Sequence, residues 1–204
     1  MRKGEALPPP CFDMNFSLPK SLLVAGEDRL IRWEYRDVLT ILSAMSDPEL
    51  TPEDKALVAL VIFYPEAGTI PREALPEAAE QMNRFIDGGQ TPREQAGPRL
   101  MDWEQDFPWI IAPVNRVLGR DVREEVPLHW WTFLSAYYEI GDCLFAQIVR
   151  IREAMARGKK LDKADRAWAR RNADLIKLET KYTQAESELL DAWTKGGPVN
   201  AGNG

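Results

Sequence analysis

Proline and glycine divide this chain into short segments, and within those segments the apolar residues recur every three or four positions. That spacing places them on one face of an α-helix, whereas a half-buried strand would alternate every second residue. The sequence contains 15 prolines and 13 glycines, and these residues end helices more often than they extend them. The pattern therefore predicts a mainly α-helical protein made of several short helices.

Residues 20–33 are the segment that favours a β-sheet. Leu22 and Val24 share one side of an extended chain, and Gly26–Glu27–Asp28 follows them as a turn signal. Apolar residues resume at Leu30, which predicts a small N-terminal β-hairpin. Two strands are only marginally stable alone, so we expect the hairpin to pack on the helices.

A helix start signal stands at Thr51–Pro52. Thr51 can cap a helix through its side-chain oxygen, and Pro52 suits the first helical position. The spacing that follows predicts that one stripe of the helix faces the core. Its members are Leu57, Leu60, Val61 and Tyr64.

The most regular pattern lies near the C-terminus, where large apolar side chains recur every seventh residue. The series is Leu161, Trp168, Leu175, Tyr182 and Leu189. This heptad-like pattern predicts one long amphipathic helix over residues 159–195. Its apolar seam would bind a partner, although a helix that folds back onto its own body would show the same periodicity.

The predicted organisation has four parts. Residues 1–15 form a flexible tail, because a run of three prolines excludes helix, and residues 16–158 form a helical body that begins with the hairpin. Residues 159–195 form the long helix, and residues 196–204 form a second flexible tail. Met14 opens a segment that resembles a natural protein start, so we expect an internal or alternative start there.

Charge is distributed unevenly along the chain. The net charge is −6, which argues against a general nucleic-acid coat, since neutralising phosphates needs an excess of Lys and Arg. Residues 150–171 nevertheless hold nine basic and three acidic side chains, a net charge of +6. Such a stretch is either a solvated helix face or a partner surface. The alternative to a protein-binding role is therefore a nucleic-acid-binding regulatory protein that uses residues 150–171, with Trp168 stacking on bases.

The scarce residues predict no metal or cofactor site. One histidine, His129, and two cysteines, Cys11 and Cys143, are too few and too scattered for a structural zinc site. The sequence has no phosphate-binding glycine loop and no nucleophile motif. No apolar run approaches the roughly 20 residues of a membrane span. We expect no cofactor, no enzyme activity and no membrane partner.

Two groups of residues admit a catalytic interpretation and a structural one. His129 lies in an apolar stretch, which favours a packed or capping histidine over a catalytic base. Asp102, Glu104 and Asp106 could perform acid–base catalysis, as paired carboxylates do in glycoside hydrolysis. With no second acid pair beside them, stabilisation of a helix terminus is the better explanation.

Two aromatic motifs are unusual in this sequence. They are Met101–Asp106 and Leu128–Phe133, which contain Asp102, Glu104, Asp106, His129, Trp130 and Trp131. Together with Leu57–Pro65, Leu118–Val122 and the pair Ile148 and Arg152, they resemble the bacteriophage gene-product-fifteen family over about Asn15 to Arg171.

The chain departs from the pattern of that family in two places. Pro108 and Pro113 interrupt a predicted helix over residues 99–118 that is usually uninterrupted in the family, so we expect kinks or a split there. The predicted terminal helix over residues 159–195 is also longer than is typical.

This resemblance implies a tail assembly chaperone. It implies that the protein coats the long helical tape-measure protein in the host cytoplasm, is displaced as the tail tube polymerises, and is absent from the mature virion. The partner implied is the tape-measure protein, while the apolar seam predicts further copies of the chain as a second partner. We expect no nucleic-acid partner, since the net charge is negative. The seam that starts at Leu161 would contact one of those two partners.

Overall fold

The computed structural model describes residues 17–90 and 97–188. Its secondary-structure elements are β1 (Ser21–Val24), β2 (Glu27–Leu30), α1 (Tyr35–Met45), α2 (Pro52–Phe63), α3 (Leu75–Ile86), α4 (Trp103–Leu118), α5 (Trp130–Tyr138), α6 (Leu144–Ala156), α7 (Lys163–Arg171) and α8 (Ala173–Ile176). Short 3-10 turns at Ala67–Thr69 and Arg72–Ala74 join α2 to α3. The predicted tails and Leu189 lie outside the described residues, and the mainly helical prediction is confirmed.

The predicted N-terminal hairpin is present, with β1 antiparallel to β2 and Val24 opposite Glu27. Its turn consists of Ala25 and Gly26, whose φ angles are 52° and 78°. Two positive φ angles are typical of the tight turn whose twist matches that of antiparallel strands. The turn therefore lies earlier than the predicted signal, and Glu27 already belongs to β2.

The helices are stacked in the order α2, α1, α4, α6. Helix α1 packs against both α2 and α4, and α4 packs in turn against α6. Helix α5 covers α1 and α4, while α3 connects α2 to β1. This order places α2 and α6 at opposite ends of the stack.

Helix α2 begins as predicted, and Leu60 and Tyr64 of the predicted inward stripe are buried, but the other two members are not. The Thr51 hydroxyl accepts a hydrogen bond from the Asp54 amide at 3.1 Å, as an N-cap does. Leu57 and Val61 are 56% and 55% exposed, so two members of the predicted inward stripe face outward. Phe63 is buried in their place. The prediction failed because every residue from Ala56 to Phe63 is apolar, which leaves no polar face to indicate the orientation.

Helix α4 runs unbroken through Pro108 and Pro113, so the predicted split is wrong. Each proline removes one backbone hydrogen bond, but the apolar face formed by Ile110 and Val114 is fully buried on both sides of the second proline. The helix ends at Gly119, which has a φ of 70° and suits a left-handed C-cap.

The structure does not contain the predicted single helix over residues 159–195. Among the described residues, α7 ends at Arg171 and α8 ends at Ile176. Residues 177–183, which we name the strap, are extended, and helix resumes at 184–188.

The break has a tertiary cause. Arg152 of α6 donates hydrogen bonds to the backbone carbonyls of Leu175 at 2.7 Å and Ile176 at 2.8 Å. Those carbonyls would otherwise accept from amides one turn later in a continuous helix. The Asn172 side chain also bonds the Trp168 carbonyl at 2.9 Å, which closes α7. Hydrogen bonds from Arg152 of α6 thus replace the backbone hydrogen bonds that a continuous helix over residues 159–195 would have formed at these carbonyls.

Candidate functional site

Asp102 and Asp106 stabilise the start of α4. The Asp102 carboxylate accepts from the amides of Glu104 at 3.0 Å and Gln105 at 2.9 Å. The Asp106 carboxylate reaches back to the Asp102 amide at 2.9 Å. This reciprocal arrangement is like a capping box, displaced by one residue. The helix-terminus interpretation is therefore confirmed for both buried acids, while Glu104 is exposed.

The electrostatics at Asp102 favour its ionised form. Burial by itself would raise the pKa of this carboxyl, but the Gln105 amide and the nearby charges of Lys181 and Arg99 hold the pKa below its ordinary value. An aspartate held in this way accepts hydrogen bonds and does not readily carry the proton that a general acid needs.

Arg152 connects α4, α6 and α8, and it also bonds Leu100 just before α4. Its guanidinium bonds both oxygens of Asp106, at 2.7 Å and 3.0 Å, in α4. It also donates to the carbonyls of Leu100 at 3.1 Å, Leu175 at 2.7 Å and Ile176 at 2.8 Å. All five donors of the guanidinium are thus used. The pair is structural, because both side chains are buried and every guanidinium donor is already used within the protein.

The strap is held on the first turn of α4 by polar side chains. The Gln105 side chain donates to the Lys177 carbonyl at 2.6 Å and accepts from the Glu179 amide at 3.0 Å. Lys181 donates to Glu104 at 2.8 Å and to the Ser46 hydroxyl at 3.0 Å. Glu104 therefore acts by positioning the strap.

His129 caps α5 from a buried position. Its Nδ1 accepts from the Trp131 amide at 3.1 Å, and its Nε2 donates to the Pro19 carbonyl at 2.9 Å. These two bonds define the neutral tautomer with the proton on Nε2. Burial lowers the pKa of His129, and the Pro19 carbonyl only partly opposes this effect. The predicted packed or capping role is confirmed.

Trp130 and Trp131 close the C-terminal end of α3. Their indole nitrogens donate to the carbonyls of Ile86 and Phe85, each at 2.8 Å. Carbonyls in the last turn of a helix have no partner within the helix, so these bonds satisfy them. The motif Leu128–Phe133 thus joins α5 to α3, and the motif Met101–Asp106 joins α4 to α6. Each of the six residues singled out in these motifs has a structural role.

The predicted seam is not a continuous surface. Leu161, Trp168 and Leu175 are half-buried, and they lie before α7, in α7 and in α8 respectively. Tyr182 is exposed in the strap. Because these four residues lie on separate segments, no single helix face carries them.

The basic stretch over residues 150–171 is partly neutralised within the chain. Arg150 pairs with Asp165 at 2.6 Å, and Arg157 pairs with Glu153 at 3.0 Å. The Arg150 hydrogen bond lowers the pKa of Asp165 despite a small opposing effect of burial. Arg152 is buried against Asp106. Three of the bases thus have acidic partners, which reduces the charge left for phosphates.

Three apolar surfaces of the described chain are open to solvent. The hairpin face consists of Leu23 and Leu30, which are 57% and 65% exposed. The α2 stripe consists of Leu57 and Val61. The groove is a cavity of about 400 Å³ beside α6, α7 and α8, and its apolar lining is Met155, Ala169, Ala173, Ile176 and Leu178. Open apolar patches of this kind are typical of binding sites.

Within residues 17–90 and 97–188, no group of three or more His, Cys, Asp or Glu side chains is arranged to hold a metal ion. No helix in the same part of the chain is both long and apolar enough to cross a membrane.

A family model described as Bacteriophage Gp15 protein matches residues 14–178. The match includes both aromatic motifs and Arg152, and it ends just after α8. No curated protein and no solved structure matches the chain.

Proposed function

Because the chain belongs to the bacteriophage Gp15 protein family, we propose that it is a tail assembly chaperone that binds the tape-measure protein without catalysing a reaction. It would act in the host cytoplasm and leave before the virion is complete. Binding would keep the apolar surfaces of a long helical protein away from water until the tail tube replaces the chaperone.

The observation that carries this proposal is the hairpin face. Leu23 and Leu30 lie diagonally across β1 and β2 on the same side of the sheet, and Asp28 and Ser21 stand opposite them on that side. The opposite side carries Val24, which is fully buried. A sheet normally buries an apolar face against another layer. The hairpin face is therefore half of such a contact, and an apolar tape-measure helix would supply the other half.

The motif residues support a role in binding over one in chemistry. Asp102 and Asp106 accept backbone hydrogen bonds, and His129 uses both ring nitrogens within the chain. A general acid or base needs an ionisable group that reaches a substrate. The groups that sequence analysis offered for that task are committed to the fold.

The experiment is co-expression with the tape-measure protein encoded in the same phage, with soluble tape-measure protein as the measurement. We expect the unmodified chain to keep the tape-measure protein soluble. The double variant Leu23→Asp and Leu30→Asp should lose this effect, because charge on the hairpin face opposes burial. Val126→Asp is the matched control, since Val126 is 56% exposed and lies in the loop before α5, outside the hairpin.

The outcomes test the chaperone role and the use of the hairpin face separately. An insoluble tape-measure protein in the presence of the unmodified chain would overturn the chaperone role. A hairpin variant that still solubilises it would show that the cargo binds elsewhere. The nucleic-acid alternative predicts DNA or RNA binding that weakens steeply with salt, and the ion pair between Arg150 and Asp165 counts against it.

A further inference from the structure

We propose that copies of this chain associate head to tail, with the α2 stripe of one copy seated in the groove of the next. This association is independent of cargo binding, since neither surface includes the hairpin face. The argument depends on the exposure of α2, the shape and lining of the groove, the charges around both surfaces and their positions in the stack.

Helix α2 has the composition of a buried helix but is covered on one side only. All residues from Ala56 to Phe63 are apolar. Phe63 and Leu60 are buried against the body, while Leu57 and Val61, one turn apart, face solvent. A helix that is apolar all round is normally enclosed. The α2 stripe therefore has the character of an interface from which the second partner is missing.

The groove is a concave complement to such a stripe. Its volume of about 400 Å³ is sufficient for the two aliphatic side chains of the α2 stripe. Met155 is 56% exposed at its edge, and a flexible methionine adapts to the shape of an incoming apolar group. Ala169 and Ala173 also line it, and such small side chains allow a helix to approach closely.

The charges around the two surfaces are opposite. Residues 47–66 contain five acidic side chains and one lysine, and Glu53 lies one turn before Leu57 on the same side of α2. Lys177 and Arg99, which also pairs with Asp102, line the groove. Residues 150–171 carry a net charge of +6, or +5 when Arg152 is set against its partner Asp106. Opposite potentials favour association and define its orientation. This complementarity identifies a second copy of the chain as the occupant.

The positions of the two surfaces exclude their pairing within one molecule. Helix α2 packs on α1 at one end of the helix stack, and α6, which forms one wall of the groove, packs on α4 at the other end. Two different surfaces that bind each other make a heterologous contact, which produces a ring or an open filament. A linear array of copies would suit a long, repetitive cargo.

The test is sedimentation velocity over a range of protein concentrations, with two knockout variants of the full chain. One variant carries Leu57→Asp and Val61→Asp, and the other carries Met155→Asp. All three residues are mostly exposed, so both variants should fold, which circular dichroism can check. We expect the unmodified chain to form oligomers larger than dimers, each variant alone to be monomeric, and Val126→Asp to behave like the unmodified chain.

Mixing the two variants distinguishes this arrangement from others. The Met155→Asp chain keeps its α2 stripe and the other variant keeps its groove, so an equimolar mixture should form dimers and stop there. Raising the salt from about 0.05 M to about 0.5 M should weaken that dimer at least tenfold, since its outer contacts are exposed charges. A monomeric unmodified chain, a Met155→Asp chain that still oligomerises, or a mixture that stays monomeric would each overturn the proposal, whatever the result with tape-measure protein.

Discussion

The guanidinium of Arg152 lies 2.7 Å and 3.0 Å from the two carboxylate oxygens of Asp106, although the residues are 46 positions apart. Both side chains are almost completely buried. This pair joins α6 to the start of α4, and the remaining donors of Arg152 hold α8. The placement of α8 against α6 and α4 therefore depends on one arginine, whereas Gln105 and Lys181 hold the strap that follows.

Arg152→Met should destabilise the protein strongly. The variant leaves the Asp106 carboxylate buried without its partner, and removing one member of a buried pair costs about 3–5 kcal/mol. The measurement is the free energy of unfolding in urea. Limited proteolysis after residue 176 should also become faster, because the strap loses its anchor next to α8.

Arg150→Met is the control for that prediction. Arg150 pairs with Asp165 on the exposed side of the same helix, and exposed pairs contribute little to stability. A double variant, Arg152→Met with Asp106→Leu, should recover part of the lost stability, since no unpaired charge remains buried. Equal stabilities of Arg152→Met and Arg150→Met would contradict the prediction.

Gly89→Ala should destabilise the protein more than Gly119→Ala. Both glycines have positive φ angles, 78° and 70°, so each substitution incurs the left-handed penalty of about 1–2 kcal/mol. A Cβ on Gly89 would also lie 3.1 Å from the Trp131 ring, whereas one on Gly119 has open space. Thermal unfolding gives the stabilities, and tryptophan fluorescence should change for Gly89→Ala alone. Equal losses of stability would show that Trp131 does not pack tightly against α3.

Stability should fall as the pH drops below neutrality, because His129 is buried in its neutral form. Burial lowers the pKa of His129 in the folded protein. At a pH below the unfolded pKa of about 6.5, the unfolded chain therefore binds a proton that the folded protein does not, and protonation favours unfolding. The free energy of unfolding should decrease between about pH 7 and pH 5.5.

The His129→Asn variant tests the assignment of that pH dependence. Asparagine is a good N-cap and does not titrate, so α5 should still form while the dependence becomes flatter. The chain has one histidine, so no other imidazole contributes in this range. The same slope in both proteins would mean that another group is responsible.

Local signals in the sequence were the most reliable guides to this fold. Thr51 and Pro52 open α2 as predicted, and Gly119 ends α4. Capping depends on groups within three or four residues of each other, so spacing alone is informative. The predicted stripe of α2 was correct for Leu60 and wrong for Leu57, because Leu57 and Phe63 are both apolar and only the neighbours of the helix decide which of them is covered.

In the candidate site, too, some features could be predicted from the sequence and others could not. The aromatic motifs indicated the family. The packed or capping role of His129 followed from its apolar neighbours, and the helix-terminus role of Asp102 followed from the lack of a second acid pair. The partner of Arg152 and the open groove could not be predicted. Both depend on which segments meet in space, and their members come from α4, α6, α7 and α8.

The sequence by itself determined the helical class, the hairpin, the start of α2, the end of α4 and the family, because propensity, capping and motif identity are properties of neighbouring residues. Only the tertiary structure decided that the heptad-like series near the C-terminus is broken and that the α2 stripe faces outward. The physical reason is competition. A buried backbone carbonyl must accept a hydrogen bond from some donor. For the carbonyl of Ile176 that donor is Arg152 of a distant helix, and not the amide of a following helical turn.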